Sequence, residues 1–132
     1  MAGTYMVWHG PTATRKTREL IGRRIKIAGM YLRDKIKMRS SRRQPTTGRG
    51  LKMRGLDPSR PGEYPKIVTG EFRDSITAEY NPRTLSTRVG TEISYGRDLE
   101  LGTSKMAPRP WLSRGIHDYQ SNLKSIVTTG RP

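Results

Sequence analysis

The chain has 132 residues, a formal net charge of +15 and no cysteine. That length supports one domain, residues 1–132, around one modest core, and the missing thiols exclude a disulfide framework and a thiolate zinc site. Only 32% of the residues are hydrophobic, so part of the chain is expected to be an arm or an exposed helix that finds its burial on partners.

The charge calls for a polyanion or an acidic protein surface as neighbour, ahead of a merely solvated surface. No apolar run nears the roughly 20 residues of a membrane span. Residues 1–10 lack the apolar centre of a signal peptide, and no membrane partner is expected. Residues 4–9 (Thr-Tyr-Met-Val-Trp-His) are aromatic and β-branched and predict a strand. Its two faces, Tyr5 with Val7 and Met6 with Trp8, are both apolar, which suits a strand covered on both sides. Gly10-Pro11 ends it.

Thr12 or Thr14 can cap the next element, a long helix running to about Met38. Ile21, Ile25, Ala28, Leu32 and Ile36 recur at helical spacing, and Leu20, Ile27, Tyr31 and Met38 widen the stripe. Gly22 and Gly29 weaken this helix or let another backbone approach it closely. Residues 14–43 carry twelve positive and two negative side chains, a net of +10, or two thirds of the whole. Arg15, Arg18, Arg23, Arg24, Arg33, Arg39, Arg42 and Arg43 are the candidate contacts to DNA phosphates or an acidic partner. A solvated amphipathic face fits as well, because no base-stacking aromatics or groove-reading motif accompany the charge.

Residues 39–66 alternate glycines and prolines and stay basic. They are expected to form a flexible arm, mobile in the free subunit and laid on a neighbour after assembly, with Leu51, Met53, Leu56 and Tyr64 as anchors. Thr69-Gly70 opens a short helical turn that tucks Phe72 inward. A hairpin follows: Ile76, Ala78 and Tyr80 alternate with Thr77 and Glu79, residues 81–84 turn, and Leu85, Thr87 and Val89 alternate with Ser86 and Arg88.

Residues 95–112 predict a corner. A short helix holds Tyr95, Leu99 and Leu101; Gly102 stops it with a positive φ; Pro108 and Pro110 force an extended strap; Trp111 and Leu112 open a last helix. On that helix Leu112, Ile116, Tyr119, Leu123 and Ile126 form one side, with a frayed tail from Thr128. The fold expected is α+β: a small, mainly antiparallel sheet of the hairpin and the N-terminal strand, with the long basic helix and the C-terminal helix packed on one face.

Residue chemistry points away from catalysis. His9 and His117 are the two histidines and have no third group to make a triad. Asp98 and Glu100 stand two apart on a helix and diverge, and neither Glu92 nor Glu100 has a partner that marks it for acid–base work. Gly102-Thr-Ser-Lys105 lacks the leading glycine of a phosphate loop, and Gly48-Arg-Gly50 is a turn signal. No enzyme, cofactor or metal is expected. Trp111, Arg109 and Met106 are of the kinds enriched at interface hot spots. Arg109, fixed by Pro110, can fork onto a carboxylate of a neighbouring copy, with Glu100 as candidate recipient. Trp111 and Leu112 suit the domain's own core equally well.

Three blocks, in this order, carry a resemblance. Thr69-Gly-Glu-Phe-Arg-Asp-Ser-Ile76, Arg88-Val-Gly-Thr91 and, in the corner, Tyr95 with Glu100-Leu-Gly-Thr103, Ser104-Lys-Met106 and Arg109-Pro-Trp111 resemble the small head–tail joining proteins of tailed bacteriophages. These are also called neck, tail-completion or minor tail component proteins, the tenth-gene-product-like family of lambdoid siphophages. The likeness covers residues 64–117. It implies a structural virion protein that forms a homo-oligomeric ring between the head connector, on the portal side, and the tail-terminator or tail-tube proteins. Genomic DNA would pass through the channel, and assembly would run in the host cytoplasm. It also implies that Lys105, Met106 and Arg109 lie at a subunit interface, where Glu100 and Trp111 are the further candidates from their chemistry, while Tyr95, Leu99 and Leu112 go to the core. A basic nucleic-acid-binding module of ribosomal-protein type explains the charge equally well, but not the blocks at 69–76 and 95–112.

Overall fold

Helix α1 spans Gly10–Ser40 and is the axis on which the rest is built. The structure, a computed structural model, describes residues 10–40, 61–65 and 70–132. The strand expected at 4–9, most of the arm (41–60 and 66) and residues 67–69, with the Thr69 expected to open the next turn, lie outside these. Pro11 falls in the first turn of α1, where its fixed φ suits a helix and its missing N–H costs nothing. The helix therefore starts before Thr12 and Thr14, the residues whose side chains suggested caps.

Five further elements follow: α2 (Glu71–Ser75), β1 (Thr77–Asn81), β2 (Ser86–Gly90), α3 (Tyr95–Leu101) and α4 (Leu112–Thr129). The architecture is α+β. β1 and β2 form an antiparallel hairpin with Thr77 opposite Gly90 and Asn81 opposite Ser86. Its turn is set by Asn81, whose side-chain oxygen accepts the Arg83 N–H at 2.9 Å. Ala78, Tyr80, Thr87 and Val89 face inward as the two-residue period requires.

The hairpin lies on α1 where two glycines let it come close. A Cβ on Gly22 would meet the Tyr80 hydroxyl, and one on Gly29 would overlap the Thr87 side chain. Thr87 uses that proximity: its Oγ1 donates to the Ile25 carbonyl at 3.0 Å, 62 positions away. Along another side of α1 runs α4, antiparallel to it. Gly115 seats against Ile36, and the Tyr31 and Tyr119 rings meet edge to face at 6.0 Å. The core is Leu32, Ile36, Ile76 and Trp111, with Phe72, Val89, Leu99, Leu112 and Leu123 packed around it.

Two expectations are corrected here. Leu20, Ile27 and Met38 do not widen the buried stripe; they are 47%, 47% and 53% exposed. They lie on the side of α1 opposite Leu32 and Ile36, and the hairpin and α4 cover only the other sides. The tail from Thr128 is also less loose than expected. α4 runs to Thr129 and ends on Gly130 at φ 84, and Arg24 Nη1 donates to the Thr128 carbonyl at 2.6 Å.

Candidate functional site

The corner folds as a pinned elbow. Helix α3 stops at Gly102, whose φ is 75 and whose N–H donates to the Asp98 carbonyl at 2.8 Å. A side chain there would strike the Met106 carbonyl and Pro108, each 2.9 Å from an added Cβ. Thr103 and Met106 then bridge antiparallel, with Thr103 N–H to Met106 O at 2.8 Å. Past the bridge the strap returns along α3: the Arg109 N–H donates to the Leu99 carbonyl at 2.7 Å. Thr103, Ser104, Lys105, Ala107 and Pro108 stay exposed, so the strap projects while both of its ends are held.

Glu100 makes the elbow rigid. Its carboxylate accepts the backbone N–H of Trp111 and of Leu112, at 2.8 and 2.9 Å on Oε2, and of Ser113 at 3.0 Å on Oε1. These are orphan amides of the first turn of α4, where a negative charge also meets the positive end of the helix dipole. Burial pushes the Glu100 carboxyl up, but the hydrogen bonds from Ser113, Leu112 and Trp111 outweigh it and carry its pKa below the ordinary value. The carboxylate considered as a recipient for a neighbour's Arg109 is thus already engaged inside its own chain.

Trp111 stands in the core, 3% exposed. Its Nε1–H donates to the Gly96 carbonyl at 2.9 Å, and its ring meets Phe72 edge to face at 5.2 Å. Of the five interface candidates, Lys105 is exposed and Met106 and Arg109 are half-buried, so these three remain at the surface. Leu99 and Leu112 join the core as expected. Tyr95 is 39% exposed despite its contact with Phe72, and Leu101 is 65% exposed.

The described end of the arm docks on this elbow. Gly62 N–H donates to the Pro108 carbonyl at 2.9 Å, and Arg114 Nη1 reaches the Gly62 carbonyl. Tyr64 donates to Asp118 Oδ2 at 2.9 Å, while the Arg114 guanidinium covers its ring at 5.3 Å. Burial, then the bond to Asp118, pushes the Tyr64 hydroxyl upward. Tyr64, proposed as an anchor on a neighbour, is held here by its own chain; Leu51, Met53 and Leu56 lie outside the described residues.

The basic helix divides in two. Arg24 caps the C-terminal carbonyls of α4, Arg39 Nε donates to the Tyr119 hydroxyl at 2.9 Å, Arg18 Nη2 reaches the Arg83 carbonyl at 3.3 Å, and Arg33 pairs with Asp34 at 2.8 Å. Arg15, Lys16, Arg23 and Lys26 point outward and are exposed. Arg42 and Arg43 lie outside the described residues. An open cleft of about 440 Å³ sits between the start of α1 and the hairpin tip, lined by Arg15, Arg18, Glu19, Tyr80 and Leu85.

Among the described residues no group of three or more His, Asp or Glu side chains is placed to hold a metal ion, and no helix is long and apolar enough to cross a membrane. Sequence reasoning missed Glu100 as a cap. A carboxylate whose partners lie eleven or more positions ahead leaves no local spacing signal. No family model, no curated protein and no solved structure matches the chain.

Proposed function

We propose that this chain is a structural subunit of a bacteriophage neck, forming a ring that joins the head connector to the tail. The observation that supports it best is the elbow. The residues that carry the resemblance, from Glu100 to Trp111, form one unit whose inner members fix the geometry and whose strap projects. A projecting strap held at both ends loses little conformational freedom on docking, which favours recognition of another protein. Lys105 and Met106 are the strap's contact residues, with Arg109 beside them. No bond-making chemistry is assigned to any of them. Genomic DNA in the channel is the proposed neighbour of the outward cations.

A basic nucleic-acid-binding module is the second reading, favoured by Arg15, Lys16, Arg23 and Lys26, which stay exposed along α1. Mixing the purified chain with purified phage connector separates the two. The neck reading expects rings on the connector by electron microscopy, lost in Lys105→Glu although the variant's circular dichroism is unchanged. A monomer that ignores the connector and grips nucleic acid at physiological salt would replace it with the second.

A further inference from the structure

Helix α1 carries a second apolar row. Leu20, Ile27 and Met38 return to one side of it at spacings of seven and eleven residues, near two and three turns, with Met30, 40% exposed, on the flank. The exposed charges on this side are Lys16, Arg23 and Lys26 against Glu19 and Asp34, and Asp34 is already paired with Arg33. A row of this size along a positive helix is a surface waiting for a cover.

Charge selects the cover. Two α1 helices back to back would bring together two segments of net +8 each, and like charges repel. Residues 41–60 of the same chain hold six positive side chains and one negative, so they are repelled too. Helix α4 also exposes Ile116 and Val127, but beside Lys124, and its Asp118 is held by Tyr64 and Arg114. Helix α3 remains. It exposes Tyr95 and Leu101, with Asp98 between them, Glu92 just before, and Arg97 as its one cation. It is the described surface where large apolar side chains coincide with an excess of acid.

We infer that the outer row of α1 in one copy seats on α3 of a second copy, Leu20 and Ile27 against Leu101 and Tyr95, with Arg23 and Lys26 facing Asp98 and Glu92. The two surfaces are different, so the contact is head-to-tail and repeats around a ring. This contact rests on the ring reading above and names the faces that close the ring.

The absence of cysteine makes the test clean. Ile27→Cys and Leu101→Cys chains are mixed under mild oxidation. Both sites are exposed, so the fold tolerates them. The expected product is the mixed disulfide, in about tenfold excess over either homodimer, since only sulfurs brought within bonding geometry join efficiently. Asp98→Lys is expected to weaken association by about tenfold, and adding Arg23→Glu to restore it, because the swapped pair regains its complement. Rings without the mixed disulfide, or a homodimer through position 27 alone, overturn the α1–α3 contact and leave the neck reading standing. A monomer at every concentration, on the connector as well as free, overturns both.

Discussion

Three backbone amides converge on one carboxylate, so the angle between α3 and α4 depends on Glu100. Glu100→Ala removes the acceptor for all three and is expected to lower stability by about 1–2 kcal/mol, the range of a lost helix cap with some charge assistance. Glu100→Gln keeps one acceptor oxygen and should fall between. The pH dependence has a definite sign. Hydrogen bonds hold the folded carboxyl below its ordinary value, so the fold favours the deprotonated form. The contribution is complete above the unfolded-state value of about 4.3 and is lost as pH falls through the lower folded-state value. Urea melts should therefore show a wide gap between wild type and Glu100→Ala at neutral pH and a narrow one in acid; a gap indifferent to pH would rule out the charged cap. Trp111 belongs to the same scale. Its spacing after Pro110 fitted core and interface equally, and the choice was made by Gly96 and Phe72, residues far along the chain that no local pattern connects to it.

At the scale of elements, two glycines on α1 look alike in sequence and differ in the fold. At Gly22 the obstacle to an added Cβ is the hydroxyl end of Tyr80, which can swing aside. At Gly29 the obstacle is Thr87, whose Cβ would lie 2.8 Å away and whose Oγ1 is tied to Ile25. Alanine gains roughly 1 kcal/mol of helix propensity at either place. Gly22→Ala should accordingly be neutral or mildly stabilising, while Gly29→Ala should lose about 1–3 kcal/mol through overpacking. Thermal melts of the pair check this, and equal effects would refute the close approach of the hairpin at Gly29. The elements themselves were largely legible. The hairpin alternates from Ile76 to Tyr80 and again from Leu85 to Val89 on either side of its turn, and Gly102 between Leu101 and Pro108 has few other uses. The stripe of Ile21, Ile25, Ala28, Leu32 and Ile36 was legible too; what periodicity did not show is that Leu20, Ile27 and Met38 form a separate, outward row rather than widening it. A helix of 31 residues presents both, and Thr87, Tyr80 and Gly115 lie on the side of the first.

For the whole molecule, charge is the dominant quantity, and the fold sorts it into two uses. Arg24 and Arg39 bind helix-end carbonyls and a tyrosine within the domain, while Arg15, Lys16, Arg23 and Lys26 face outward. Counterion release makes the distinction measurable, because each phosphate neutralised adds about 0.9 to the slope of log affinity against log salt. Changing the four outward residues to Gln should flatten the slope for duplex DNA by about 3 to 4, with thermal stability nearly unchanged. Changing Arg24 and Arg39 to Gln should do the reverse: a lower melting temperature and much the same slope. If the second pair flattened the slope as much as the outward four, the division of the basic helix described above would be wrong. The experiment also bears on assembly. If Arg23 and Lys26 face α3 of the next copy as proposed, a closed ring would withdraw them from DNA and should show the shallower slope without any mutation. On the proposed contact, attraction to DNA and attraction between subunits would compete for the same side chains, and salt should shift that competition by weakening the many-phosphate contact more steeply than a contact backed by Leu20, Ile27 and Leu101.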